Sequence, residues 1–253
     1  MKSSELVNIS ADIGSSLLKY GGEVYRTQET IERICSTYNL GRIDVFAIPS
    51  YVIVNLTNES GETINCMRQI GTRVTDFDKL SRINHLSRHI CAAKPSEKTI
   101  RRQLSRIISR PEPRFSVELI CYAVISVSFA LFFGGGIAEA AAAGVIGILL
   151  RCLTELSLRY KSGTFFHSLV CSIFTALLAF TAQKLGLVSD YDKVIIGVLM
   201  NLVPGVTLTN CMRDFIAGDF LAGVYTLVEA ILTALGIALG ITVTINLLGY
   251  LWI

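Results

Sequence analysis

The first 114 residues alternate short stretches of helical and strand periodicity. Apolar residues recur at helical spacing in the segments 4–20, 23–38 and 76–93. A fourth segment, 96–110, is markedly basic and is predicted to be a further helix or a linker. Three runs rich in β-branched and aromatic residues predict strands: Arg42–Ile48, Tyr51–Thr57 and Glu62–Ile70. We therefore expect an N-terminal α+β domain over residues 1–114.

From Phe115 onwards the pattern changes to long apolar runs. A helix that crosses a bilayer needs about 20 apolar residues. Five spans are predicted, at about 115–133, 137–157, 164–186, 193–210 and from near 218 to 253. The last run is long for one crossing, so we expect tilt or a break near Gly236 or Gly240. The predicted fold class is an α-helical integral membrane domain, 115–253, behind the α+β domain.

Composition and charge support this division. The chain is 51% hydrophobic, which is too apolar for an ordinary soluble domain. Residues 1–114 hold 17 of the 23 Lys and Arg, many of them directly before the first apolar run. By the positive-inside rule the N-terminal domain is then cytoplasmic, and five spans leave the C-terminus outside. Arg159 and Lys161 predict that the end of the second span is cytoplasmic, and Tyr250 and Trp252 suit a membrane interface.

The stretch from Asn201 to Asp219 organises the membrane part of the chain. Pro204 and Gly205 interrupt an apolar run and are followed by polar and charged residues up to Asp219. Irregular backbone at membrane depth is tolerated only when it is buried in protein or lines a cavity, and broken helices often build the substrate site of a transporter. A polar loop between two ordinary membrane helices explains the spacing equally well.

Six acids lie in or beside the spans: Glu118, Glu139, Glu155, Asp214, Asp219 and Glu229. Charges inside a membrane usually face a cavity or a partner. Glu229 lies deepest in its span, which favours a role in a solute pathway or a proton relay over a structural hydrogen bond. Glu118, at a helix entrance, is expected to be interfacial.

The N-terminal domain offers weaker signals. Glu23, Arg26 and Glu29 share one helical stripe, which is either a site or, more simply, a salt-bridged surface. His85 and His89 share a helix face at a spacing that can bind a metal, but no third ligand stands at a telling distance, so a solvated face is the preferred interpretation. No GxSxG, zinc signature or phosphate loop is present, which argues against a hydrolase and an ATP-driven pump. No cofactor is expected.

Three segments carry a resemblance to a known family: GGEVYRTQETIERIC (Gly21–Cys35), TDFDKLSRIN (Thr75–Asn84) and PGVTLTNCMRDFIAGDFLAG (Pro204–Gly223). They resemble the threonine/serine exporter family, and the chain is similar to the larger, YjjP-like subunit of its split form. The resemblance covers nearly the whole chain in the right order, and the last segment is the most specific.

This resemblance implies export of small hydrophilic metabolites across the bacterial inner membrane. Threonine and serine are the substrates of single-chain members, and succinate is that of the split pair. It also implies a partner, a short YjjB-like membrane subunit that completes the transporter. Carried over position by position, it points to two groups of residues: Glu23, Arg26 and Glu29, and Pro204, Gly205, Asn210, Arg213, Asp214, Gly218 and Asp219.

We therefore expect a secondary exporter subunit rather than an enzyme. Arg213, together with a helix N-terminus at the break, is expected to hold the carboxylate of the solute. Asp214 or Asp219 would orient Arg213 or contact the ammonium group of an amino acid. The alternative is that Arg213 only anchors a helix end among lipid phosphates. Gly205 is expected to adopt a backbone conformation that a side chain would resist. The alternative functions are a membrane-anchored hydrolase and, more weakly, a scaffold for another transporter.

Overall fold

The computed structural model describes residues 2–39, 41–58, 60–159 and 163–251, so Lys161 and Trp252 lie outside the described residues. It divides the chain into two compact units. The N-terminal unit contains the residues up to Pro111 together with Thr209–Thr226, and the membrane unit contains Glu112–Leu208 and the residues from Leu227 onwards. The predicted domain boundary at residue 114 stays a prediction, and the membership of Thr209–Thr226 in the N-terminal unit was not expected.

The N-terminal unit is an α+β fold. Its elements are α1 (Ser3–Lys19), α2 (Val24–Thr37), β1 (Arg42–Ile48), β2 (Tyr51–Thr57), β3 (Thr63–Gln69), α3 (Phe77–Ala93) and α4 (Glu97–Ile108). The three strands form an antiparallel sheet in the order β1-β2-β3. These elements match the predicted periodicity within one or two residues, and the basic segment 96–110 is a helix.

The core of this unit lies between α1, α2 and one face of the sheet. Val52, Val54 and Leu56 alternate along β2 and are buried, as expected for a sheet with one covered face. Residues Leu6, Ile9 and Ile13 of α1 are buried in the same cluster. Burial of each such side chain contributes roughly 1.5–3 kcal/mol, so apolar packing, rather than helix propensity, stabilises α1.

Gly21 ends α1 with a φ of +92°, a conformation that L side chains rarely adopt. The backbone N–H of Gly22 then donates to the carbonyl of Leu17 at 2.9 Å. This tight turn sets the start of α2, the helix that carries Glu23, Arg26 and Glu29 at or near its N-terminus.

The membrane unit is helical in its described residues. It contains α5 (Phe115–Phe132), α6 (Ile137–Arg159), α7 (Thr164–Lys184) and α8 (Tyr191–Leu199), and α9 (Gly205–Ile216) and α10 (Phe220–Leu251) each have one part in either unit. Four described helices are long and apolar enough to cross a membrane: Phe115–Phe132, Ile137–Ser157, Thr164–Lys184 and Phe220–Leu248.

The predicted span at 193–210 is not one helix. It is divided into α8, of nine residues, and α9, of twelve, by an irregular segment that includes Pro204. At 1.5 Å per residue α8 is only about 14 Å long, about half of a hydrocarbon core. Gly197 brings α8 against α5, because an added Cβ there would lie 2.8 Å from Ala130 and from the Ser126 carbonyl.

The prediction of a break near Gly236 or Gly240 is wrong, because α10 is continuous from Phe220 to Leu251. Both glycines instead allow α7 to approach. An added Cβ at Gly236 would lie 2.6 Å from the Phe165 carbonyl, and one at Gly240 would lie 2.0 Å from Ser172 Oγ. Small residues at such positions are typical of close helix packing in membranes.

Candidate functional site

The start of α2 and the α9–α10 junction lie together in the N-terminal unit. Asn210 Nδ2 donates a hydrogen bond to the carbonyl of Gly21 at 3.2 Å, and Arg213 forms a salt bridge with Glu23. The fold therefore brings together the first and last of the three segments that carry the family resemblance. We refer to Glu23, Arg213, Asp214 and Asp219 as the Asp214 cluster.

Asp214 is the buried centre of this cluster, with 2% of the residue exposed. Its carboxylate accepts a hydrogen bond from the backbone N–H of Val24, the first residue of α2. Glu23 makes no side-chain cap of its own, so Asp214 caps α2 from a distant part of the chain. A carboxylate is favoured at this position because a helix N-terminus carries partial positive charge.

Burial raises the pKa of Asp214 to about 6. The nearby carboxylates of Asp219 and Glu23 act in the same direction, whereas the Val24 N–H and Arg73 lower the pKa. Among the described residues, Asp214 Oδ1 has no hydrogen-bond partner, so this oxygen can accept a proton without losing a contact. The geometry therefore supports a carboxyl group that changes charge near neutral pH.

Asp219 connects the junction to α2 and β1. The Gln28 amide, oriented to satisfy both neighbours, donates to Asp219 Oδ2 at 3.3 Å and accepts from the backbone N–H of Ala47 at 3.2 Å. The Asp219 N–H donates to the carbonyl of Asp214 at 2.9 Å. Gly218, with a φ of +87°, lies in the connection between α9 and α10. Burial also raises the pKa of Asp219.

Glu23, rather than the expected Asp214 or Asp219, holds Arg213. The Arg213 side chain is 54% exposed, whereas that of Glu23 is only 7% exposed. Arg26 Nε lies 3.7 Å from Glu23 Oε2, so the buried carboxylate has two exposed arginines beside it. Glu29, on the same predicted stripe, is exposed.

The expectation for Gly205 is wrong. Its φ lies outside the left-handed region, and an added Cβ would have nothing within 4 Å. Gly205 begins α9 directly after Pro204. The residue in this motif that requires a glycine conformation is Gly218.

The break between α8 and α9 lies beside the middle of α5. Asn201 Nδ2 donates to Ser126 Oγ at 2.9 Å and to the carbonyl of Val198 at 3.0 Å. Ser126 is the twelfth of the 18 residues in α5. In the described part of the chain, Asn201 Oδ1 has no hydrogen-bond partner although it is buried. An acceptor of this kind at the depth of a candidate span was not singled out from the sequence.

Glu229 belongs to the membrane unit rather than to the Asp214 cluster. It lies in the candidate span Phe220–Leu248 and is partly buried. Its backbone carbonyl accepts a hydrogen bond from Thr233 Oγ1 at 2.9 Å. The predicted role of Glu229 in a pathway or proton relay stays a prediction.

A second ionic group, missed as a unit by sequence reasoning, lies in the membrane unit. Arg151 of α6 forms salt bridges with Glu118 of α5 and, at 3.0 Å, with Glu155 one turn further along α6. We refer to these three residues as the Arg151 cluster. The i,i+4 spacing of Arg151 and Glu155 was visible in the sequence, but the approach of Glu118, 33 residues earlier, depends on how α5 and α6 pack.

Backbone hydrogen bonds explain why the carboxylate of Glu139 is buried in the membrane unit. Its carboxylate accepts hydrogen bonds from the backbone N–H groups of Gly136 and Ser189, both at 2.9 Å, and of Asp190 at 3.4 Å. It therefore ties the α5–α6 turn to the α7–α8 connection.

His85 and His89 are both exposed on α3. They line an open groove of about 720 Å³ between α3 and α4. Within the described ranges, no group of three or more His, Cys, Asp or Glu residues is placed to hold a metal ion.

An α+β unit followed by long apolar helices, with buried ionic groups in both units, defines an integral membrane protein. The threonine/serine exporter family model matches residues 8–248, so the chain belongs to this family. It is 25% identical over 249 residues to a threonine/serine exporter of Corynebacterium glutamicum, covering 96% of this chain and 51% of that protein. It is 21% identical over 245 residues to a probable threonine/serine exporter of Mycobacterium tuberculosis, covering 96% and 46%. The chain thus spans about half the length of these curated relatives, and no solved structure matches it.

Proposed function

We propose that this chain is a subunit of a secondary exporter that moves small hydrophilic metabolites out across the bacterial inner membrane. The family match over residues 8–248 carries the proposal, because it includes both the N-terminal unit and the apolar helices. The proteins that the chain resembles are named for threonine and serine, so an amino acid is the first substrate to test and succinate the second. A hydrolase acting through the N-terminal unit is not favoured by this family.

The proposed pathway passes the break between α8 and α9. Asn201 presents a buried, unpaired acceptor there, and broken helices supply backbone groups to solutes in other transporters. Pro204 keeps the break open, since proline removes an amide donor and costs a helix interior about 3 kcal/mol. Glu229 is proposed to line the same pathway as a proton carrier.

The Asp214 cluster is proposed to take part in export. Asn210, Arg213, Asp214 and Asp219 follow the break in the sequence and belong to the segment that most specifically resembles the family. Arg213 already binds one carboxylate, that of Glu23, and a solute carboxylate can exchange with it. An Arg213→Lys variant should lose export sharply at normal membrane abundance, because lysine cannot form a planar two-point contact. Near-normal export by that variant would remove Arg213 from the site.

A partner is proposed to complete the pathway. We expect a short YjjB-like membrane subunit to supply helices corresponding to the other half of the curated relatives. Reconstitution of both polypeptides in proteoliposomes preloaded with labelled threonine, serine or succinate tests the function directly. Efflux of none of the three solutes by the pair would overturn the exporter assignment. Full efflux by this chain alone would overturn only the need for a partner.

Orientation is part of the proposal, with the N-terminal unit in the cytoplasm and the C-terminus outside. The basic residues before Phe115 support it. Reporter fusions after residue 253 should be active only outside the cytoplasm. If the fused reporter were active only in the cytoplasm, the five-span topology, in which the α8–α9 segment makes the fourth crossing, would be rejected.

A further inference from the structure

The Arg151 cluster borders a pocket in the membrane unit. The pocket has a volume of about 510 Å³ and is lined by Glu112, Pro113, Phe115, Glu118, Arg151, Cys152 and Glu155. These residues belong to the first turn of α5, the segment before it and the last turns of α6. The pocket is therefore at the end of the α5–α6 hairpin that joins the N-terminal unit in the sequence.

Arg151 is held in one orientation. Its Nε donates to Glu118 Oε2 at 2.7 Å, and its Nη2 donates to Glu155 Oε2 at 3.0 Å. Its guanidinium carbon lies 5.1 Å from the centre of the Phe115 ring, within the range of a cation–π contact. Only 8% of the residue is exposed.

One donor of this buried arginine is unused. Among the described residues, Arg151 Nη1 is buried and has no hydrogen-bond partner. An unsatisfied buried donor on a charged group is costly, and a ligand carboxylate is the acceptor that suits a guanidinium. Arg151 lines the pocket, so an anionic group that enters the pocket and displaces the contacts that cover Nη1 would satisfy this donor.

The remaining charges of the pocket have the opposite sign. Three glutamates and one arginine line it, a formal balance of 1 − 3 = −2. Glu112 is exposed, and the Glu155 side chain is 44% exposed. A ligand that brings only carboxylates would meet repulsion, whereas one that also carries an ammonium group would find partners for both charges.

We propose that this pocket binds a zwitterionic amino acid, with its carboxylate on Arg151 and its ammonium group on Glu155 and Glu112, and excludes dicarboxylates. The inference rests on the proposed exporter function for its biological meaning, and it selects amino acids over succinate, which that function leaves open. Because the residues lie at the end of two candidate spans, the pocket is a loading site rather than the central constriction.

Cys152 permits a test that needs no substitution. Its thiol is free and exposed and lines the pocket. Alkylation of the wild-type chain in native membranes by N-ethylmaleimide, followed by mass spectrometry of the Cys152 peptide, should be slowed several-fold by L-threonine. Succinate and N-acetyl-threonine, which lacks the ammonium group, should give no protection. Cys91 of α3 is the internal reference and should react equally under all conditions.

Matched variants separate binding from structure. Glu155→Gln should weaken threonine binding at least about tenfold, the equivalent of one lost charged contact, as measured by equilibrium binding of labelled threonine to the purified chain. Glu62→Gln, on the exposed side of the N-terminal unit, should bind as the wild type. If Glu155→Gln reduces the yield of folded protein, the alkylation experiment on the unaltered chain still tests whether threonine binds in the pocket.

Each outcome has a separate meaning. Equal protection of Cys152 by threonine and succinate, or no protection by either while the reconstituted pair exports threonine, would overturn the pocket and leave the exporter in place. Protection by threonine in a pair that exports no solute would support the pocket and overturn the proposed function.

Discussion

The Asp214 cluster and the Arg151 cluster both pair arginine with carboxylates, but they bury opposite partners. In the N-terminal unit the acid is buried, and Arg213 is half-exposed. In the membrane unit Arg151 is buried, and the acids are more accessible. A guanidinium stays charged at any physiological pH, whereas a buried carboxylic acid can take up a proton. The first cluster is therefore suited to respond to pH, and the second to keep a fixed charge for a ligand.

Removal of the two arginines should have very different effects on stability. Arg151→Gln removes the charged hydrogen bonds of a buried guanidinium to Glu118 and Glu155. Because such bonds contribute about 1.5–3 kcal/mol each, a loss of about 3 kcal/mol is expected. Arg213→Gln removes an exposed partner, and Arg26 remains near Glu23, so a loss of about 1 kcal/mol is expected. Thermal unfolding of the purified variants in detergent checks this difference. Equal losses would show that burial of the arginine is not what distinguishes the clusters.

The pH dependence of stability should depend on Asp214. Because its pKa in the folded chain is about 6, above the ordinary value of 3.8, the folded state binds the proton more tightly than the unfolded state does. This contribution is complete below about pH 4 and is lost as the pH rises through 6, a change of at most about 3 kcal/mol. Asp214→Asn should keep the contact to Val24 and flatten this dependence.

Melting temperatures of the wild type and of Asp214→Asn between pH 5 and 7.5 provide the measurement. The wild type should lose stability relative to the variant as the pH rises. Asp219, Glu23 and Arg73 face Asp214, and of the two acids Asp219 raises the pKa of Asp214 more. Asp219→Asn should therefore reduce the pH dependence without abolishing it. Parallel profiles for the wild type and Asp214→Asn would contradict the assignment of this titration to Asp214.

Glu139 tests whether every buried acid of the membrane unit has a ligand-binding role. Glu139→Ala should leave the N–H groups of Gly136, Ser189 and Asp190 without their acceptor, at a cost of about 1–3 kcal/mol. Glu139→Gln keeps an acceptor oxygen and should lose less. The yield of folded protein after detergent extraction ranks the two variants. A loss of export in Glu139→Gln at full yield would show that Glu139 acts beyond structure.

The smallest effect is expected at Gly205. Gly205→Ala places a methyl group in open space at the start of α9, so stability and export should change by less than about 0.5 kcal/mol. Gly240→Ala is the contrasting variant, because its methyl group would overlap Ser172 Oγ. Detergent melting temperatures compare the two. A larger loss for Gly205→Ala would show that the break itself requires glycine.

The sequence by itself determined the local elements and the division of the chain by polarity. Helices α1 to α4 and the three strands follow from periodicity, since 3.6-residue and two-residue repeats leave one apolar face. The long apolar helices follow from the length of their apolar runs. Charge distribution separated the N-terminal domain from the apolar part. The residues of the Asp214 cluster were also named from the sequence, partly as charged residues in or beside the predicted elements and partly because their segments resemble a known family.

Only the tertiary structure decided which of these residues meet. Arg213 was expected beside Asp214 or Asp219 but pairs with Glu23, because Thr209–Thr226 packs with the N-terminal unit. Gly236 and Gly240 suggested a break in α10, but they allow α7 to pack closely against it. The sequence pattern of one helix does not show where a second helix packs. Arg151 and Glu118 are brought together by the α5–α6 packing. Periodicity describes one element at a time, whereas ion pairing and close packing depend on two, and this is why the sequence alone left these contacts undecided.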